Sequence, residues 1–335
     1  MPDKSYLIIG SEYSPFSVKV RSYARYKNIP HEWRQRTLGN MAEFQKYAKL
    51  PLIPLVVGPG EEVLQDSTPI IETLETRFPD PALEPPSAAL AFLSALIEDY
   101  ADEWVNKPMF HYRWWGEEDQ IAVAGRLAAN MAPGADEAKV AELAAGLRAR
   151  MVPRLRFVGS SEQTKPVIEA SLDNLLGILE AHLETRDYLF GGRPCLADFG
   201  LFGQVGGCLQ QPTTERMIRA GNPRTLAWLE RMQDPKARGD FETWATLAPT
   251  LSPLLKSEIG ELYLPWSLAN EAAVARGEEE FTARLAGQDF TQQISKYAAK
   301  SLKVLRDKRA AIRDHAELDA ILAENACLQP LVSAA

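Results

Sequence analysis

The sequence predicts an α/β unit over its first 80 residues and an all-α region over the rest. Three observations predict this. Residues 5–80 alternate short apolar runs with helical periodicity. Residues 79–86 then hold Pro79, Pro81, Pro85 and Pro86, which read as a linker. Beyond them the apolar positions recur at helical spacing.

The elements follow in order. Residues 5–10 are a short apolar run that reads as a buried strand. Ser14-Pro15 opens a helix to about residue 27, because proline is tolerated in a helix's first turn. Residues 31–37 read as a second strand, and residues 40–48 as a short helix capped by Asn40. Residues 54–57 and 62–65, joined by Gly58-Pro59-Gly60, read as a β-hairpin. Residues 67–78 close the unit as a helix. Further helices are expected over 87–107, 136–151, 165–184, 196–209, 224–233 and 254–277, then 278–285, 291–313 and 316–324. Residues 128–135, rich in Ala, Pro and Gly, read as a loop. The expected units are 1–80 and 87–335, the latter ending in an extension over 250–335.

Composition narrows the function classes. The chain has 335 residues, 46% of them apolar and 24% charged, as in globular proteins generally. The formal charge of −8 argues against wrapping nucleic acid, which needs a basic surface. A basic tract over 296–313 reads as a solvated helix face. No apolar run approaches the roughly 20 residues of a membrane span, and the apolar start is too short for a signal peptide. No membrane partner and a cytoplasmic location are therefore expected. Cys195, Cys208 and Cys327 are far apart and suit reduced thiols. The four histidines are also scattered, so no metal is expected.

Three short motifs carry chemistry. Ser14-Pro15-Phe16-Ser17 stands where the first strand meets the first helix. A helix N-terminus favours an anion. Ser14 can cap the helix, or its hydroxyl can hydrogen-bond a ligand's sulfur; Tyr13 and Ser17 are alternative hydroxyls. Leu52-Ile53-Pro54-Leu55 places a proline at a strand edge, in cis or in trans. Asp66-Ser67-Thr68-Pro69 opens the next helix, ahead of an apolar stripe of Ile70, Ile71, Leu74 and Phe78.

In this order the motifs resemble the glutathione site of the glutathione S-transferase superfamily. The element order βαβαββα is likewise the family's thioredoxin-like plan. Ser14 falls where omega-like members carry a reactive cysteine and theta- and zeta-like members an activating serine. The resemblance implies that Ser14 stabilises the glutathione thiolate, whose free thiol has a pKa of about 8.5. Phe16 and Ser17 would flank it. A cis Pro54 would expose the backbone of Ile53 to the cysteinyl part. Ser67 would bind the γ-glutamyl carboxylate, with Asp66 on the ammonium and Gln65 assisting. The glycyl contact departs from the family's pattern, because Pro51 stands where Gly is common; Lys49 or Lys46 could serve.

The helical region carries two weaker matches. Gly191 to Asp198 resembles the family's capping-box segment, with Cys195 in the cap position and Asp198 reaching back. Asn222 to Met232 resembles its Pro-x-x-x-x-Trp-x-x-Arg-Met helix. Between these and the linker, Glu98, Asp99, Asp102 and Glu103 crowd one helix face. They read as paired with Arg113, as substrate contacts, or as cation ligands, in that order. Tyr112, Arg113 and Trp114 are the candidate substrate contacts. The extension has no counterpart in a minimal transferase; it covers the site or extends a subunit contact.

The expected function is a glutathione transferase-like enzyme. It would take glutathione as co-substrate and a small, hydrophobic electrophile as second substrate. Conjugation, thiol-dependent cleavage and isomerisation all use the same thiolate. The resemblance also implies a homodimer. The alternative is a binding or structural protein that keeps the fold without turnover.

Overall fold

The computed structural model describes residues 5–332; the expected outer limits of the two units, residues 1 and 335, lie outside the described residues. Strand β1 (Tyr6–Gly10) leads into helix α1 (Pro15–Tyr26), then β2 (His31–Gln35), α2 (Met41–Tyr47), β3 (Leu55–Val57), β4 (Val63–Gln65) and α3 (Ser67–Arg77). The sheet order is β2-β1-β3-β4, with β1 and β2 parallel and the other pairs antiparallel. This is the thioredoxin-like plan that the sequence predicts.

The strands alternate faces at period two. Ile8 and Val56 join the core with α1 and α3, while Ile9, Leu55 and Val57 pack with Phe44 of α2. Gly10 ends β1 because nothing larger fits. A Cβ there would lie 2.5 Å from the Trp33 ring and 2.8 Å from Ser17 Cβ. Asn40 does not cap α2. Its Oδ1 accepts the Thr37 N–H at 2.8 Å and its Nδ2 donates to the Gln35 carbonyl, so it ties down the preceding loop.

The helical region is more segmented than expected. The single helix expected over 87–107 is α4 (Ala88–Tyr100), a π-helical segment (Ala101–Val105) and α5 (Asn106–Trp114). Helix α6 (Glu117–Met131) occupies the first half of the expected loop at 128–135, and the second half is a loop. There follow α7 (Glu137–Met151), α8 (Lys165–His182), α9 (Leu196–Gly207), α10 (Pro212–Gly221) and α11 (Pro223–Arg231). Cys195 and Asp198 form the expected capping box on α9. Asp198 Oδ1 also accepts the Leu189 N–H and the Trp228 Nε1–H, each at 3.0 Å. The two helical motifs therefore meet on one carboxylate.

The extension begins as one rod. It comprises α12 (Trp244–Pro253), a π-helical segment (Leu254–Tyr263) and α13 (Leu264–Arg276). Glu258 in the middle accepts from Tyr100, Ser171 and Asn174, which pins the rod to α4 and α8. Residues 278–285 are not a helix. They lie in a hairpin, β5 (Glu280–Leu285) and β6 (Gln288–Gln293). Phe281, Ala283 and Leu285 are buried and alternate with exposed residues, which is a strand period. Ala286 and Gly287 have φ of 47° and 75°, as a two-residue hairpin turn requires. Helices α14 (Lys296–Ala310), α15 (Ala316–Glu324) and α16 (Leu328–Val332) complete the chain. Helices α14 and α15 both pack on α4. One buried cluster runs from β1 and α1 through α4 and α9 into the extension. No helix among the described residues is long and apolar enough to cross a membrane.

Candidate functional site

Three loops leave the same end of the sheet. Ile9 pairs with Leu55 and Leu55 with Gln65, so the end of β1, the start of β3 and the end of β4 lie side by side. The topology thereby collects Ser14–Ser17, Ile53-Pro54 and Asp66-Ser67 at one edge, as the motif order predicts.

Ser14 caps α1: its Oγ accepts the Ser17 N–H at 3.3 Å. This leaves the hydroxyl proton without an acceptor among the described residues, so capping and donating to a ligand are compatible. Phe16 is half-buried. Ser17 is fully buried against Gly10, and its Oγ has no partner; its hydroxyl is not presented to the sheet edge as Ser14's is. Tyr13 is half-buried, and burial raises its pKa against the opposing effect of Arg126 and Arg113.

The Ile53–Pro54 peptide is cis. No hydrogen bond among the described residues engages the Ile53 backbone. Gln65 does not point to a ligand. Its amide accepts from the Lys49 and Leu50 N–H groups and donates to the carbonyls of Leu50 and Leu52, which holds the loop before Pro54. Lys46 lies by Tyr47 and Glu61.

Asp66 has φ of 77°, rare for a residue with a side chain, and persists where surroundings over-determine it. Its Oδ2 accepts from the Tyr297 hydroxyl at 2.7 Å. The extension thus reaches the very residue expected to meet the ammonium. Ser67, 3% exposed, lies 3.5 Å from Lys19 Nζ.

Lys19 organises the floor of this corner. It is fully buried and bonds Glu98, Asp102 at 2.7 Å and Thr68 at 3.2 Å. Burial opposes its charge, but Asp102 and Glu98 overcome that and raise its pKa. Of the four crowded carboxylates, Glu98 on α4 and Asp102 on the π-helical segment are therefore paired, and their partner is Lys19 rather than Arg113. Asp99 instead accepts from Tyr263 and Ser301 of the extension, and burial pushes it up to about 6. Lys19 was legible as an oddity, since it shares a helix face with Tyr23 and Tyr26. Nothing local marked Tyr297.

Two of the three candidate substrate contacts are buried. Arg113 is 5% exposed and donates to the carbonyls of Tyr13 at 2.9 Å and Gly207 at 3.1 Å, so it braces the loop before α1. Trp114 is 1% exposed, in a second core cluster with Val123, Leu147 and Leu155. Helical spacing turns both side chains inward, which a linear cluster of aromatic and basic residues does not reveal. Tyr112 is half-buried against the main core. Among the described residues, no group of three or more His, Cys, Asp or Glu could hold a metal ion.

Residues 8–82 match the glutathione S-transferase N-terminal domain family, and residues 137–231 match the glutathione S-transferase C-terminal domain family. No curated protein matches the chain. Among solved structures, the chain is similar to a glutathione S-transferase from Methylobacterium radiotolerans in complex with glutathione sulfonate. That pair is 20% identical over 71% of this chain and 97% of the other, with a TM-score of 0.44. A β-etherase from Sphingobium sp. is 19% identical over 68% of this chain and 94% of its own, with a TM-score of 0.47. A glutathione transferase from Phanerochaete chrysosporium is 18% identical over 69% and 97%, also with a TM-score of 0.47. With both domain families matched in their expected order, on a thioredoxin-like unit followed by a helical one, the chain belongs to the glutathione S-transferase superfamily.

Proposed function

We propose that the sheet edge binds glutathione and that Ser14 activates its thiol for attack on a small electrophile. The observation that carries this reading is the convergence of two helix N-termini on either side of one free backbone segment. The N-terminus of α1 offers Ser14 with an uncommitted proton. The N-terminus of α3 offers the Ser67 N–H and hydroxyl beside Asp66. The Ile53 backbone lies between them with both groups unengaged. An extended tripeptide with a carboxylate near one end and a thiol in its middle matches that order. A hydrogen bond from Ser14 and the α1 dipole then favour the thiolate. Arg113 acts as a positioning residue by holding the Tyr13 carbonyl just before Ser14. The reaction class stays at attack by the thiolate, and the second substrate at a small electrophile. A homodimer in the cytoplasm belongs to the same reading, and sedimentation velocity tests the dimer.

Calorimetry with reduced glutathione tests the site. Saturable binding is expected, weakened at least tenfold in Ser67→Ala. No binding at millimolar ligand sinks the reading. Ser14→Ala is expected to keep binding while slowing conjugation of a generic aryl halide at least tenfold. Unchanged turnover in that variant transfers the role to Tyr13. One observation favours the non-catalytic alternative: Asp66 is already engaged by Tyr297. Binding without turnover of any electrophile would support it.

A further inference from the structure

A cavity of about 150 Å³ lies between the start of α3, the π-helical segment after α4, and α14. Its lining is strongly acidic, and most of the carboxylates are satisfied. Glu98 pairs with Lys19, Glu72 with Lys308, and Asp66 and Asp99 accept hydroxyls from the extension. Two are not. Asp102 lines the cavity and is 8% exposed; Oδ2 holds Lys19, while buried Oδ1 has no partner. Glu103 lines the same space and makes no hydrogen bond among the described residues. Burial pushes the carboxyl of Asp102 up to about 7 and that of Glu103 well above its usual range. A buried carboxylate oxygen without a donor is costly, so an arriving cationic donor gains unusually much here.

We propose that this cavity binds a primary ammonium group, with Asp102 and Glu103 as its acceptors and the C-terminal extension as its outer wall. An ammonium brings three N–H donors and a full charge, which suits two neighbouring carboxylates that line one cavity. The volume admits an alkylammonium head rather than a whole tripeptide, since a water occupies about 30 Å³ of liquid. Asp102, Glu103 and Tyr297 all lie outside the residues matched by either domain family, 8–82 and 137–231.

The ammonium has two possible sources. Asp66 lines the cavity and also flanks Ser67, so the α-amino end of glutathione bound as proposed would enter there. This source rests on the proposed glutathione site. The other is a free amine, which does not. Lys300 lines the cavity without an ion pair among the described residues, and swung inward it would compete with either.

Calorimetry on the full chain separates these cases. The probes are glutathione, N-acetylglutathione and 1,4-diaminobutane, on the parent and on Asp102→Asn, Glu103→Gln and Lys300→Met. If glutathione supplies the ammonium, it binds at least tenfold more tightly than N-acetylglutathione, and the carboxamide variants bring that ratio towards one. If a free amine does, the diamine binds, both variants weaken it at least tenfold, and Lys300→Met tightens it. Diamine binding without binding of either tripeptide removes the glutathione reading and leaves the cavity proposal standing. The proposal is overturned if no ligand shows an amine-dependent affinity that the carboxamide variants reduce. Should Asp102→Asn fail to fold for want of its Lys19 pair, Glu103→Gln, which breaks no hydrogen bond, decides the matter.

Discussion

Lys107 shows what a single buried charge does to this protein. It is 2% exposed, lies 3.8 Å from the Trp266 ring centroid and donates to Gln292 Oε1 at 2.8 Å. Burial pushes its pKa down to about 7, against the pull of Glu103. The unfolded lysine titrates near 10.4. Between those values the unfolded chain binds a proton that the folded one has released, so Lys107's contribution to stability rises with pH across that window. Below pH 7 the contribution is flat and at its most unfavourable. Lys107→Met should therefore unfold at higher urea than the parent at pH 7, by about 2 kcal/mol, with the gap closing towards pH 10. A gap that does not change with pH would show that packing, not protonation, sets the difference. The same residue shows a limit of sequence reading. A lysine between Asn106 and Pro108 looks like a solvent-facing charge, and only a hairpin 185 residues away encloses it.

At the level of elements, α9 and α1 meet through a glycine. A Cβ on Gly203 would lie 2.7 Å from the Pro15 carbonyl oxygen, a backbone atom that cannot step aside. Gly203→Ala should cost about 1–3 kcal/mol, read as a lower Tm, and weaken glutathione binding by moving the first turn of α1. Gly206→Ala is the control: its nearest neighbour would be 3.6 Å away, ordinary contact. A control as damaging as Gly203→Ala would point to loss of helix geometry rather than to this contact. The elements that carry such close fits were also the most readable ones. The thioredoxin-like unit, the α9 capping box and the long helices α7 and α8 follow from local period and punctuation. The hairpin was misread because Glu278 to Glu280 suggest a helical surface, and Ala286-Gly287 is a weaker turn signal than Asn-Gly. The alternation of Phe281, Ala283 and Leu285 was nonetheless present. The π-helical segments had no local signature. One follows Pro253 and precedes Pro265 within a continuous rod, where a wider turn accommodates missing N–H donors. At the site, Ser14, Ile53 and Ser67 were legible because short motifs carry them. Lys19's partners and Tyr297 were not, since tertiary contacts alone join them.

Across the whole molecule, the extension is part of the core rather than an appendage. Glu258 closes a buried network with Tyr100, Ser171 and Asn174, and Trp266 packs edge-on against Trp104 at 6.0 Å. A chain ending at residue 253 would expose Tyr100 and Trp104 and leave the Ser171 and Tyr100 hydroxyls without their acceptor. Such a truncated chain should bind a hydrophobic dye and lose a cooperative thermal transition. A cooperative transition with near-parental Tm would show instead that the first two units stand alone. The contact between Asp66 and Tyr297 has a further consequence in time. The two residues are 231 positions apart. At ~5–20 residues per second, a ribosome takes roughly 10–50 s to travel from one to the other. During that interval the N-terminal unit has its strands and both helix ends but no outer wall beside Asp66. The enclosed corner exists only once residue 297 has been made, so it distinguishes chains that carry α14 from every product that stops short of it.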